Sequence, residues 1–234
     1  MQEKKIIDKD LGTIILRWGR RYTRLTLKIS RGTLIATMPS PRNESTMIDL
    51  IEKNREKLIT ALQQQPAPQI INESTNLQTA SFRLLIAREK RKNVAVALRN
   101  EILTITFPDF VDFDNSLIQQ QIRDILKNVL RHEAKRLLPQ RLSLLATKHG
   151  FSFSGVKITS SLTRWGSCNS RQSINLSLHL MQLPWHLIDY VILHELCHTR
   201  EMNHSPRFWA LMDSVTDGQA KALRQELKKF EKLY

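Results

Sequence analysis

Cysteine is nearly absent: Cys168 and Cys197 are the only two in a chain of 234 residues. Two thiols cannot build the bridge framework that holds a small secreted domain together. Long apolar runs are missing too. The densest stretch, residues 187–196, is broken by Asp189, His194 and Glu195, and no window approaches the ~18 apolar residues of a membrane span. The opening residues Met1-Gln2-Glu3-Lys4-Lys5-Ile6-Ile7-Asp8-Lys9-Asp10 contain no apolar signal core. The expectation is a protein of the reducing cytoplasm, not exported by a signal peptide and with no membrane association. Acidic residues are the last shortage, 22 Asp and Glu against 36 Lys and Arg, for a net charge of +14. What is present is globular in make-up. A chain 41% hydrophobic and 25% charged is not a disordered one, and its length suits one large domain or two small ones.

The positive excess is spread along the chain, +6 over residues 1–65, +2 over 66–135 and +6 over 136–234, so no basic tail carries it. It suits a DNA, RNA or other polyanion partner, or simply a soluble basic surface; no recognised nucleic-acid motif accompanies it. Arg17, Arg20, Arg21 and Arg24 form one cluster, and Arg88, Lys90, Arg91 and Lys92 another.

These clusters occupy related places in a faint repeat. With residue n laid on residue n + 69, Leu25, Leu27 and Ile29 fall on Val94, Val96 and Leu98, Leu34 on Leu103, Thr37 on Thr106 and Pro39 on Pro108. In each copy a basic segment leads into period-2 alternation, a polar turn (Ser30-Arg31-Gly32, then Arg99-Asn100-Glu101) and a second short strand ended by proline. That pattern predicts a β-hairpin. Helical periodicity follows each hairpin, over 45–62 and over 116–138. The expected organisation is a hairpin-plus-helix region over 1–65, a Gln/Pro-rich linker over 66–79 and a larger domain over 80–234. Within the latter, Pro139 is expected to kink or restart the long helix, which stops at Gly150. Strands are expected at 156–160 and 173–178. Pro184 suits the first position of the next helix, Ser205-Pro206 caps another, and 219–233 reads as an amphipathic helix.

The chemistry lies in His194-Glu195-Leu196-Cys197-His198. Residues four apart on a helix differ by about 40° around its axis, so both imidazoles project from one face. Two neutral imidazoles at that spacing can hold Zn²⁺, with the intervening Glu195 beside the metal as general base. His204 follows His198 after five intervening residues, enough for the chain to leave the helix, turn and return a third imidazole. The long zincin motif uses this spacing with glycine at the turn. Here Glu201 holds that place, and Asn203 is the residue most tolerant of a left-handed conformation. Three His ligands leave a fourth position for water, the coordination of a catalytic zinc. Cys197 lies about 100° around the helix from His198 and reads as a small core residue.

Arg164-Trp165-Gly166-Ser167-Cys168, Ile174-Asn175-Leu176, the run from Asp189 to His198, Asn203-His204-Ser205 and Phe208-Trp209 together resemble the YgjP-like metallopeptidases, relatives of the SprT-like zincins. The sequence departs from the family pattern at Leu58-Ile59, where an aromatic is expected, and at Thr163, where lysine is common. The resemblance implies an α+β fold: a small zincin-like metallopeptidase domain with an N-terminal β-hairpin and helix region. It implies one Zn²⁺ on His194, His198 and His204, Glu195 as the catalytic glutamate, and a peptide or protein substrate. SprT-like proteases act on DNA-bound proteins, an analogy in keeping with the positive charge. Around the metal, Arg164 could bind a substrate carboxylate or backbone oxygen, Ser167 donate a hydrogen bond and Tyr190 stabilise an oxyanion. The alternative for this segment is structural, with Trp165 packed on the helix, Gly166 in a tight turn and Tyr190 in the core. The expected function is peptide-bond hydrolysis by a zinc-activated water with Glu195 as base. Two other readings stand beside it: a basic nucleic-acid-binding module with structural or no zinc, and a metal-dependent small-molecule amidase.

Overall fold

The computed structural model describes residues 2–30, 32–64 and 70–230. Arg31 of the first turn, Gln65 at the end of the expected first region, residues 66–69 of the expected linker and residues 231–233 of the expected last helix lie outside them. Among the described residues six α-helices and three small sheets make a mixed α+β chain, which divides into two compact units, Met1–Gln69 and Ile70–Tyr234.

In the first unit, β1 (Gln2–Asp8) and β2 (Gly12–Trp18) form an antiparallel pair. The Asp8 carboxylate accepts from the backbone N–H of Asp10 and of Leu11, both at 2.9 Å, and so shapes the turn between them. Next come β3 (Thr26–Ser30) and β4 (Thr33–Met38), giving the sheet order β1-β2-β4-β3. Leu34, Ala36 and Met38 alternate toward a core closed by Met47, Ile51 and Leu58. The helix expected as one piece is two, α1 (Glu44–Lys53) and α2 (Arg55–Gln63). The cause is Asn54, whose side chain donates to the Leu50 carbonyl at 2.8 Å while its backbone N–H bonds back to Ile51; such local bonds compete with the helical ladder. Arg55, opening α2, grips the Asp8 carboxylate at 2.8 and 3.0 Å.

The second unit opens with β5 (Arg83–Glu89), β6 (Ala95–Arg99) and β7 (Ile102–Pro108), in the order β5-β7-β6. The hairpin pairs Ala95 with Thr106 and Leu98 with Leu103, and β3 with β4 pairs Thr26 with Thr37 and Ile29 with Leu34. The two registers coincide on adding 69. The structure also supplies what the sequence pattern missed: each hairpin is preceded by a strand parallel to its second arm, β2 beside β4 and β5 beside β7. The unit is therefore β-β-β-α, and the first basic segment begins inside a strand.

A third copy follows the 34-residue α3 (Ser116–His149). Strands β8 (Gly155–Thr159), β9 (Gly166–Cys168) and β10 (Ser173–Ser177) pair in the same way, β8 parallel and β9 antiparallel to β10. Leu34, Leu103 and Ile174 are the equivalent central residues. Helix α3 runs without interruption through Pro139, capped by the Asn115 side chain on the Leu117 N–H at 2.8 Å and ended by Gly150 at φ +69°. Proline inside a helix costs ~3 kcal/mol. Burial of Ile122, Leu126, Leu130, Leu138, Leu142 and Leu145 along one face of α3 offsets that. The helices α4 (Trp185–Cys197), α5 (Pro206–Val215) and α6 (Ala220–Leu227) complete the unit. Among the described residues no helix is long and apolar enough to cross a membrane.

Candidate metal centre

Helix α4 is apolar on nearly every side. Leu187, Ile188, Val191, Ile192, Leu193, Leu196 and Cys197 are all buried, so its position is over-determined by packing. Pro184 stands just before its first turn as the capping residue. From α3, Arg141 makes a two-pronged ion pair with Asp189 and so fixes the rotation of α4.

His194 therefore projects from a rigid wall. His198 is the C-cap of α4, and its Nδ1–H donates to the Glu201 carbonyl at 3.0 Å. That bond sets the tautomer and leaves Nε2 with a bare lone pair. The chain then turns through tight backbone bonds, among them Glu201 N–H to Cys197 and Ser205 N–H to Asn203. Asn203 does not adopt a left-handed conformation, contrary to expectation. The turn combines i−3 bonds from Thr199 and Arg200 with the i−4 bond of Glu201 and the i−2 bond of Ser205, and it needs no positive φ. The Ser205 side chain accepts from the Phe208 N–H and Pro206 begins α5, which fixes His204 at the helix entry.

Ligand-capable atoms of His194, His198 and His204 all lie within 4.8 Å of one another. Nε2 of His204 is 3.0 Å from Nε2 of His194. The floor is Phe208, fully buried, stacked on His198 (4.6 Å between centroids) and edge-on to His194 and His204 at 4.9 and 4.7 Å. Trp209 stacks on His204. Burial lowers the His194 pKa to about 3, with the charges of His198, His204 and Arg224 adding to it, so its imidazole is neutral at pH 7.

Glu195 is buried among its neighbours, and burial pushes its carboxyl up to about 8 against the pull of Arg164. Its Oε2 has no hydrogen-bond partner among the described residues. The carboxylate lies against Gly166 in β9, where an added Cβ would stand 2.7 Å from Glu195 Cγ. Gly166 has no positive φ; the glycine serves close approach, not a tight turn. The three imidazoles fit a zinc ion: neutral nitrogen donors from two helix ends converge on one point, with a buried, unpartnered carboxylate oxygen alongside.

A cavity of about 350 Å³ opens beside this cluster, lined in part by Arg164, Tyr190, His194, Glu195, Arg224 and Lys228. Tyr190 is buried one turn before His194. Ser167 falls elsewhere. Strand alternation turns it from the Gly166 side, its Oγ accepts from Asn175 at 3.2 Å, and it lines a second cavity of about 260 Å³ that also touches Arg164. Arg224 and Lys228, at the end of α6, were missed from sequence, where they read as the polar face of an amphipathic helix. Cys197 is buried, and burial pushes its thiol up to about 12.

A family model described as the YgjP-like metallopeptidase domain matches residues 23–230. The chain belongs to the YgjP-like metallopeptidase family, and a metal ion and a peptide or protein substrate follow from that membership. No curated protein and no solved structure matches the chain.

Proposed function

We propose that this chain is a zinc-dependent peptidase in which His194, His198 and His204 hold one Zn²⁺ and Glu195 is the general base. The observation that carries the reading is the convergence of three imidazoles within 4.8 Å next to a buried carboxylate whose Oε2 has no partner. Bound zinc supplies Lewis acidity toward a peptide carbonyl and makes a water nucleophilic near neutral pH. Glu195 takes the proton of the attacking water and passes it to the leaving amine nitrogen. Gly166 holds the carboxylate in line by leaving no room behind it. The His198–Glu201 bond keeps one imidazole lone pair aimed at the metal, and Phe208 excludes water from the far side of all three rings. Tyr190 donates to the carbonyl oxygen as negative charge develops there. Arg164 binds a substrate oxygen, and Ser167 lines the continuation of the groove along β9.

The test combines metal content with turnover of a quenched peptide library. Parent protein should carry about one zinc per chain and cleave peptides. Glu195→Gln should keep the metal and lose at least about 10²-fold in rate, whereas His198→Ala should lose both. Parent-like hydrolysis by Glu195→Gln would refute the mechanism. A zinc-loaded protein that cleaved only small amides would favour an amidase.

A further inference from the structure

The cavity beside Glu195 is cationic on two sides. Arg164 comes from the loop before β9, and Arg224 and Lys228 from the end of α6. Among the described residues Glu195 is the one acidic residue lining it, and its carboxylate is packed against Gly166. Among the described residues neither Arg224 nor Lys228 forms an ion pair. Arg224 is held in place nonetheless: its guanidinium lies 5.0 Å from the ring centre of Trp209, and Trp209 stacks on His204. A cation seated on an aromatic face has lost part of its freedom before any ligand arrives. The Trp209 and His194 ring centres are 6.4 Å apart, so Arg224 sits one aromatic ring away from the imidazole cluster.

Trp165, Val191 and Leu227 supply the apolar part of the same lining. A volume of about 350 Å³ lies at the small end of ligand pockets. It suits one residue beside a scissile bond, with a short aliphatic stem on the apolar side and an anionic head among the cations.

Resting on the zinc-peptidase reading, we infer that this cavity is a specificity pocket for a carboxylate next to the scissile bond, gripped by Arg224 and Lys228 together with Arg164. Guanidinium groups bind carboxylates through paired charge-assisted bonds, and a lysine adds a point charge. The carboxylate is either an Asp or Glu side chain or the α-carboxylate at a peptide's end.

The experiment separates this pocket from the chemistry. Binding of capped tripeptides to the Glu195→Gln protein is measured by calorimetry, with zinc and after zinc is stripped, because zinc alone binds carboxylates. Acetyl-Ala-Asp-Ala-amide is compared with its Asn counterpart, and acetyl-Ala-Ala-Ala with its C-terminal amide. The expected result is at least about tenfold tighter binding, ~1.4 kcal/mol, of one acidic member over its neutral isostere in both metal states, weakening with salt. The pair that responds identifies the source of the carboxylate. Arg224 and Lys228 are both exposed, and Arg224→Gln gives up its seat on Trp209 while Lys228→Gln gives up no ring contact; each should cut the preference to below about threefold, and Arg224→Lys should retain most of it. Ratios near one for both pairs, or a preference untouched by both Gln variants, would overturn the proposal. Preferential binding of acidic peptides that zinc-loaded parent protein never cleaves would uphold the pocket and remove the peptidase reading.

Discussion

Gly166→Ala tests how the candidate base is held. The added Cβ would lie 2.7 Å from both Glu195 Cγ and Oε1 and 2.8 Å from Cδ, against an ordinary carbon–carbon contact of about 3.5–4.0 Å. About 1 Å must be found. At an exposed glutamate a swing of the side chain would relieve the contact cheaply, but Glu195 is only 5% exposed. The strand cannot retreat freely either, because Gly166 is paired with Leu176 and the Trp165 carbonyl accepts from the Ser177 N–H at 2.8 Å. Overpacking of this kind costs about 1–3 kcal/mol, and a catalytic group misplaced by about 1 Å costs on the order of 10²-fold in rate. Urea unfolding, zinc content and kcat on a peptide substrate read the three consequences: lower stability, unchanged metal and a rate down about 100-fold. Gly155→Ala is the control, since nothing lies within 4 Å of its Cβ, and it should change stability by under about 0.5 kcal/mol. In a Glu195→Ala background the Gly166→Ala penalty should largely vanish, a coupling that a double-mutant cycle measures. A Gly166→Ala protein with parent stability and a rate within about threefold would refute the reasoning.

Other expectations follow from the same packing and charge arguments. Glu101 has φ +60°, where the first copy of the repeat has Gly32 at φ +68°, so Glu101→Gly should stabilise the second unit by about 0.5–1 kcal/mol in chemical denaturation. Arg55 and the Leu11 N–H hold the Asp8 carboxyl well below the usual carboxylate range. A depressed folded pKa gives stability that is present above the unfolded value of about 4 and is lost as pH falls below it. Trp18, the only tryptophan in residues 1–69, should report that loss in urea titrations between pH 5 and 3. Asp8→Asn should flatten the dependence; an equal slope in that variant would assign the effect elsewhere. Asp189→Asn should weaken the grip of Arg141 on α4 and lower stability by about 1–2 kcal/mol, read by the same unfolding assay.

The elements legible in the sequence were those set by short-range geometry. The separation of His194 and His198 is one helical turn, and a helix as apolar as α4 announces itself. The hairpins β3–β4 and β6–β7 were visible as alternation around polar turns, with the 69-residue offset preserving their register. Gly150 and Ser205 act as caps through bonds to residues three or four positions away. Each of these depends on neighbours along the chain, so spacing and residue type suffice.

Tertiary structure decided the rest. Strands β2, β5 and β8 pair in parallel with partners beyond an intervening strand, and no local pattern marks such a partner. The third copy stayed hidden because β9 has three residues, too few for alternation to register. Pro139 is tolerated inside α3 because a buried face holds the helix on both sides of it, a cooperative effect that local propensity omits. Gly166 is glycine because a carboxylate from a helix nearly thirty positions later lies against it. Arg224 and Lys228 enter the cavity only because α6 folds back beside α4. Sequence spacing determined which candidate groups share one site; long-range packing decided how closely the carboxylate is held and which charges line the cavity beside it.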